Sequence, residues 1–411
     1  MTSEILSAPG DSVPSTERRR RPRLTGVDLA RGLAVLGMIA VHSLDDYTEG
    51  GEPTLSYTIS AGHASAMFAV LAGVAIAFLS GRRRLPRGPR SYGVAAALAA
   101  RAVVIGVIGL TLGYTDIEYG VVILTYYAVM FLLAVPLVYL STRALAVIAV
   151  LGAALTPVLG QVIRPHLPEP FTRQLSWETL SLKPFETLVN LLFTGEFPVV
   201  VWMTYVVVGI VIGRLDLTSG RVDAWLVGIG ALLMSLSATV SWILLHPFDG
   251  LAHLEAASDP DTVAEILAFG ADGTVPVDTW WWLAVNGPHT GTSLDLANTL
   301  GSALLVLGSC LLLFRIGPPA ARVIGIVTAP LVAVGSMSLT IYVGHIMFVN
   351  SDFDVYGPWE GYLRQVTVMA VAALAWRATA GRGPLEGLVR VVTTRVRRGV
   401  ENRLATRQHR A

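Results

Sequence analysis

Residues 27 to 42, VDLARGLAVLGMIAVH, set an aspartate, an arginine and a histidine into a stretch that is otherwise apolar enough to cross a membrane. A charge near the middle of a bilayer costs roughly 2.5 to 3.5 kcal/mol even on translocon-based scales, so such side chains face a protein interior or a water-filled cavity. At about 100° per residue, the interval from Arg31 to His42 is three turns plus roughly 20°, which puts both on one helix face about 16 Å apart along the axis. Asp28 sits one turn before Arg31 on that face and can pair with it. Such a pair either locks the helix to its neighbours or helps to hold an anionic ligand. A permanently charged, bidentate guanidinium suits phosphate or pyrophosphate. An imidazole with an ordinary pKa near 6.5 can take a proton from a hydroxyl or ammonium group and return it, unless it serves only as a hydrogen-bonded interface residue. A cation at one depth and a proton acceptor at another describe a path between two compartments.

Other side chains offer chemistry in less specific settings. His63 opens the second apolar run, where it either caps or bonds a loop or acts in the site. His289 lies in NGPHTGT, whose turns and hydroxyls suit substrate contact, and His345 stands one turn from Tyr342 in a late apolar run, where interhelical hydrogen bonding competes with catalysis. Tyr126 and Tyr127 read as packing residues with bonded hydroxyls, and Asp116 and Glu118 as solvated carboxylates able to orient an imidazole. There is no HExxH, nucleophile elbow, Walker loop or dinucleotide fingerprint, so neither a metal site nor a nucleotide-cofactor site is expected by motif.

The elements that must position these groups are transmembrane helices. With 411 residues, 53% hydrophobic and 14% charged, the chain is too apolar for an ordinary soluble protein. Apolar runs near the roughly 20 residues needed to span recur from residue 27 to 377. Their positions predict an all-α polytopic bundle of about ten helices at 25–44, 62–80, 93–113, 119–140, 144–163, 196–213, 222–245, 295–314, 328–349 and 360–377. The formal net charge of +1 gives no argument for nucleic-acid binding, but it conceals a segregation: one side of the bundle carries 25 basic and 8 acidic residues, the other 4 and 21. Basic loops are cytoplasmic, so both termini are expected there. Residues 1–23 read as a disordered polar and basic tail, and 378–411 as a basic cytoplasmic tail.

Two outer segments exceed simple turns. Residues 164–195 can hold a short interfacial or re-entrant helix around LVNLLF; residues 246–294 carry seven acids without Lys or Arg and end in a tryptophan triplet that fits the headgroup belt. Gly109 with Gly113, and Gly209 with Gly213, have the spacing of close helix packing. The single cysteine, Cys310, excludes an intramolecular disulfide and reads as a buried small residue.

VDLARGLAVLGMIAVH resembles the opening helix of the transmembrane acyltransferase superfamily, which includes the heparan-alpha-glucosaminide N-acetyltransferase relatives and acyltransferase family three. In family three an arginine followed after ten residues by a histidine is the signature, matched here by Arg31 and His42; the lysosomal acetyltransferase instead has its key histidine beyond the first helix. The resemblance continues through GHASAMFAVLAGVAIAF, VILTYYAVMFLLA, EFPVVVWMTYVVVGIVIGRLDL, PHTGTSLDLANTLGSAL and VGSMSLTIYVGHIMF. Together these look like an actinobacterial, heparan-alpha-glucosaminide N-acetyltransferase-like branch over residues 24–377. What the resemblance implies is a multi-pass protein of the bacterial plasma membrane that moves an acetyl or other short acyl group from cytoplasmic acyl-CoA to an extracytoplasmic sugar or envelope glycoconjugate. No tightly bound cofactor is implied, and acetyl-CoA would be a donor substrate. His42, His289 and His63 are the catalytic candidates, with Arg31 and Asp28 on the donor side. The competing reading is a transporter, channel or lipid flippase whose buried charges line a solute path.

The arginine asymmetry is directly testable. With Cys310 replaced by serine, single cysteines at positions 46, 261 and 351 should react with an impermeant thiol reagent outside intact cells, and cysteines at 88 and 219 should stay unlabelled. The opposite labelling pattern would invert the topology.

Overall fold

The computed structural model describes residues 24–317 and 319–408, which are helix and connecting loop apart from one isolated antiparallel bridge between Tyr47 and Pro53. The tail at 1–23 lies outside the described residues. The twelve longer helices are α1 (Thr25–Ser43), α2 (His63–Leu79), α3 (Pro89–Leu112), α4 (Leu124–Leu137), α5 (Thr142–Ile163), α6 (Val199–Arg214), α7 (Gly220–Leu245), α8 (Ser293–Leu313), α9 (Ala320–Ser336), α10 (Ser338–Val349), α11 (Pro358–Thr379) and α12 (Pro384–Gln408). Proline occupies the first turn of α3, α11 and α12, where its missing N–H costs nothing. Ser141 and Thr292 cap α5 and α8 by accepting the N–H groups of Ala144 and Asp295.

Among the described residues six helices are long and apolar enough to cross a membrane, and up to eight spans result if each of two bent pairs counts as one. Of the ten expected, α4 has only 14 residues and α11 carries Glu360, Arg364 and Arg377. The apolar window of α1 is 61% buried, against 17% for α5 and 22% for α7, so α1 is central and those two turn most of their surface outward.

Small residues let the central helices touch through their backbones. A Cβ on Gly209 of α6 would lie 2.9 Å from the Gly73 Cα of α2, and one on Gly32 of α1 would run into the backbone of Leu331 in α9. Gly335 of α9 answers on the other side, against the backbone of Asp28 and Gly32. Gly109 abuts α4 at Thr125, as its spacing suggested, while Gly113 meets the Leu175 backbone in the first outer segment.

Three features differ from a plain series of spans. The helix expected at 328–349 is two helices, α9 and α10, bent by 78° around Met337. The bend is stabilised from afar: the Glu386 carboxylate of α12 accepts the N–H groups of Leu339 and Thr340 at 2.8 and 3.2 Å and the Thr340 hydroxyl at 2.6 Å, an anion at a helix amino end. Residues 164–195 form two short helices, Trp177–Leu182 and Pro184–Val189, and a π turn at Asn190–Thr194 that meets α6 at 55°. The acidic segment folds around its own small core of Leu254, Val263, Ile266 and Trp282. Trp282 is fully buried there and donates its indole N–H to Asp278 at 2.7 Å, so this member of the triplet is a core residue and not a headgroup anchor. The basic tail beyond residue 378 includes α12, which packs along α3.

The α2–α6 contact leaves no room for a side chain, whereas Gly228 of α7 has open space around its Cβ position. Gly209→Val should destabilise the bundle by about 1–3 kcal/mol or more, and Gly228→Val by less than about 0.5 kcal/mol. Equal thermal midpoints for the two purified variants would refute this packing.

Candidate active site

Near the end of α1 opposite the arginine-rich loops, His42 meets His345 of α10. Their rings stack at 1° with centroids 5.2 Å apart, and Nδ1 of His42 lies 3.0 Å from Nε2 of His345. His345 Nδ1 is 2.7 Å from Oε1 of Gln365 in α11, whose Nε2 donates to the Ser43 hydroxyl at 3.2 Å. An amide oxygen can only accept, so His345 carries its proton on Nδ1 and its lone pair on Nε2. That lone pair must receive the Nδ1–H of His42, which leaves the lone pair of His42 on Nε2. The hydrogen-bond chain thus fixes a tautomer as well as a ring orientation.

Gly120 lies against that free nitrogen. A Cβ there would stand 2.5 Å from His42 Nε2, and the backbone has φ +112°, so glycine is required on both counts. Gln174, from the first outer segment, holds this turn by donating to the Gly120 carbonyl at 2.8 Å and accepting Val122 N–H at 3.0 Å.

Toward the arginine-rich end a cavity of about 600 Å³ opens, within the usual range of ligand sites. Its inner wall includes Met38 and Tyr342, each about one helical turn from His42 or His345, and Ile123, three residues beyond Gly120. Arg31, Arg101, Arg390 and Arg397 line the same cavity, with Glu386 as its carboxylate. Arg31 contacts Asp28 at 3.4 Å, the pairing expected from their spacing. Arg101 of α3 stacks its guanidinium 4.9 Å from the Phe131 ring centre, and its buried Nε has no hydrogen-bond partner among the described residues. A guanidinium left so in an apolar wall is suited to a phosphate oxygen.

His63 and His289 do not join His42. His63 Nδ1 donates to Ser302 of α8 at 2.8 Å, and that hydroxyl passes its hydrogen to the Thr299 carbonyl, a tie between α2 and α8. His289 lies in the loop before α8, 3.2 Å from the Glu196 carboxylate in the bend before α6, and packs against Phe197 and Trp202. Burial first, and the neighbouring His63 second, lower its pKa to about 4, so this ring is neutral near pH 7. Its backbone is left-handed at φ +56°, a conformation that a non-glycine residue holds only under constraint. These two histidines form a second polar centre.

Spacing singles out Arg31, Asp28 and His42 as candidates. It did not single out Arg101, Gln365, Glu196, Glu386, Arg390 or Arg397 as site residues. Arg101 was the most legible of these, a charge inside the third apolar run.

Residues 23–240 match the family model described as "Heparan-alpha-glucosaminide N-acetyltransferase, catalytic", and the chain belongs to that family. No curated protein matches it significantly in sequence. The matched region contains Asp28, Arg31, His42, His63, Arg101, Gly120 and Glu196; His289, His345, Gln365 and the α12 residues lie beyond it. The protein is accordingly a multi-pass membrane member of an acetyltransferase family.

By the tautomer argument Gln365 orients the rings of His345 and His42. Gln365→Leu should lower the acetyl-transfer rate about tenfold, the value of roughly one hydrogen bond, while Gln365→Glu, which can still accept, should keep most of it. Equal loss in both variants would mean that Gln365 acts through packing alone.

Proposed function

We propose that this chain transfers an acetyl or other short acyl group from acyl-CoA, taken up at a cytoplasmic, arginine-rich end, to a carbohydrate or envelope glycoconjugate on the far side of the bacterial plasma membrane. The observation that carries the reading is the single cavity that joins four guanidinium groups to the inner approach of the His42–His345 pair. In this reading both chain termini lie on the cytoplasmic, donor side.

In this reading Arg31, Arg101, Arg390 and Arg397 hold the donor phosphates, and the apolar wall formed by Phe68, Leu71, Ile105 and Phe131 receives the pantetheine arm. The thioester then reaches the level of Met38 and Tyr342, one turn below His42. An acceptor amine or hydroxyl enters from the opposite side, past Gly120. His42 Nε2 removes its proton as the acceptor attacks the thioester carbonyl, and His345 and Gln365 share the charge that develops on the ring. Collapse of the tetrahedral intermediate breaks the C–S bond, and the proton held by His42 passes to the departing thiolate. Free CoA returns to the side from which it came.

The second polar centre belongs to the acceptor side. Glu196, whose pKa burial and the nearby Asp272 raise to about 8, and His289 offer a carboxyl group and a neutral imidazole for sugar hydroxyl or amine groups. They lie beside a folded acidic segment that carries no arginine or lysine.

The test uses detergent-purified variants that elute as the parent does, with radiolabelled acetyl-CoA binding and transfer measured separately. His42→Ala should bind donor normally and lose about a hundredfold to ten-thousandfold in transfer rate. Arg101→Gln should weaken donor binding by more than tenfold, as expected for a charge-assisted bond worth about 1.5 to 3 kcal/mol. Full turnover in folded His42→Ala would remove the proposed base. Solute uptake into proteoliposomes without any covalent product would overturn the acyltransferase reading in favour of transport.

A further inference from the structure

On the flank of α12 next to the donor cavity lies an open groove of about 630 Å³, between the end of α11 and the first four turns of α12. Four arginines line it, Arg382, Arg390, Arg395 and Arg398, together with Thr394 and the backbone of Gly383 and Gly387, and no carboxylate does. All four arginines are exposed, and none forms an ion pair with another described residue. Acids on the same helix are engaged elsewhere: Glu386 caps α10, and Glu401 pairs with Arg397 at 2.9 Å. Four like charges collected around one concave surface repel one another, an arrangement that an anion relieves.

The groove also has an apolar border. Leu388, Val391, Arg395 and Arg398 follow one another at spacings of three and four residues, so they occupy one face of α12. Leu388 and Val391 are 49% and 47% exposed, and Trp376 at the end of α11 is 43% exposed while donating its indole N–H to the Arg382 carbonyl at 2.6 Å. An amphipathic helix with arginines beside exposed apolar residues suits the headgroup boundary of an anionic membrane. A free phosphate in solution would have no use for the apolar border.

We infer that this groove is a binding site for the phosphate of an anionic phospholipid headgroup, with Arg382, Arg395 and Arg398 as its principal ligands and Leu388, Val391 and Trp376 against the upper acyl chains. Arg390 borders both this groove and the donor cavity. Lipid bound here would fix the helix that carries Glu386, and hence the wall of the donor cavity. The inference stands on the groove itself and does not require the acyltransferase reading.

The full chain, purified in a neutral detergent, is titrated with phosphatidylglycerol, with phosphatidylcholine, and with adenosine 3′,5′-bisphosphate as a lipid-free phosphate probe, and its thermal midpoint is followed. Phosphatidylglycerol should raise the midpoint and phosphatidylcholine should not. In Arg395→Gln/Arg398→Gln, which leaves the donor-cavity arginines untouched, the apparent affinity for phosphatidylglycerol should fall on the order of tenfold. Arg322→Gln/Arg403→Gln, an equal loss of charge elsewhere, should retain it. Equal losses in both double variants would reduce the effect to bulk charge and overturn the site. Stabilisation by the bisphosphate that is lost in Arg395→Gln/Arg398→Gln, and that excludes phosphatidylglycerol, would assign the groove to a soluble phosphate and overturn the lipid assignment.

Discussion

Two oxygens of one carboxylate, Glu386, hold the first free N–H groups of α10 and the hydroxyl of Thr340, and with them the direction in which α10 leaves α9. A helix broken inside an apolar bundle exposes backbone donors that lipid cannot satisfy, and the break persists only where protein supplies acceptors. Here the acceptor comes from the C-terminal helix. Because α10 turns at Met337, Tyr342 reaches the arginine-lined cavity and His345 reaches His42. Because Glu386 must stay at that amino end, α12 lies along the cavity mouth and brings Arg390 and Arg397 with it.

The rigid part of the frame is set by close backbone contacts. Gly73 with Gly209, and Gly32 with Gly335, allow α1, α2, α6 and α9 to approach without intervening side chains. Dispersion between such surfaces replaces the hydrophobic effect, which is weak between helices already in lipid. In that setting the outward-facing α5 and α7 can be simple apolar helices, while α1 can carry Asp28, Arg31 and His42 because protein surrounds them.

Electrostatics divide the molecule into two unlike halves. Guanidinium groups collect around the arginine-lined cavity and the flank of α12, and carboxylates collect in segments 164–195 and 246–294 at the other end. The His42–His345–Gln365 chain stands between these regions, and it works by excluding alternatives: one amide oxygen fixes two imidazole tautomers. The Glu196–His289 centre is built differently, with burial and a strained backbone holding a neutral ring beside a carboxyl group.

Features with a local period were legible in the sequence. Apolar runs marked the helices, and a constant 100° per residue put Arg31 and His42 on one face with Asp28 beside Arg31. The motifs around them pointed to the family that the match over residues 23–240 then showed. What depended on contacts between distant segments was not legible. His42 and His345 are 303 residues apart, Tyr342 meets Ile123 from 219 away, and Glu386 reaches Thr340 across a bend that no proline at the break announces. Trp282 had the composition of a headgroup anchor and became the centre of a small core, because Leu254 and Val263 fold over it. Periodicity constrains which face of a helix a residue occupies; only the packed structure selects the partner that meets that face, since many helix arrangements satisfy the same apolar pattern and few satisfy every buried polar group.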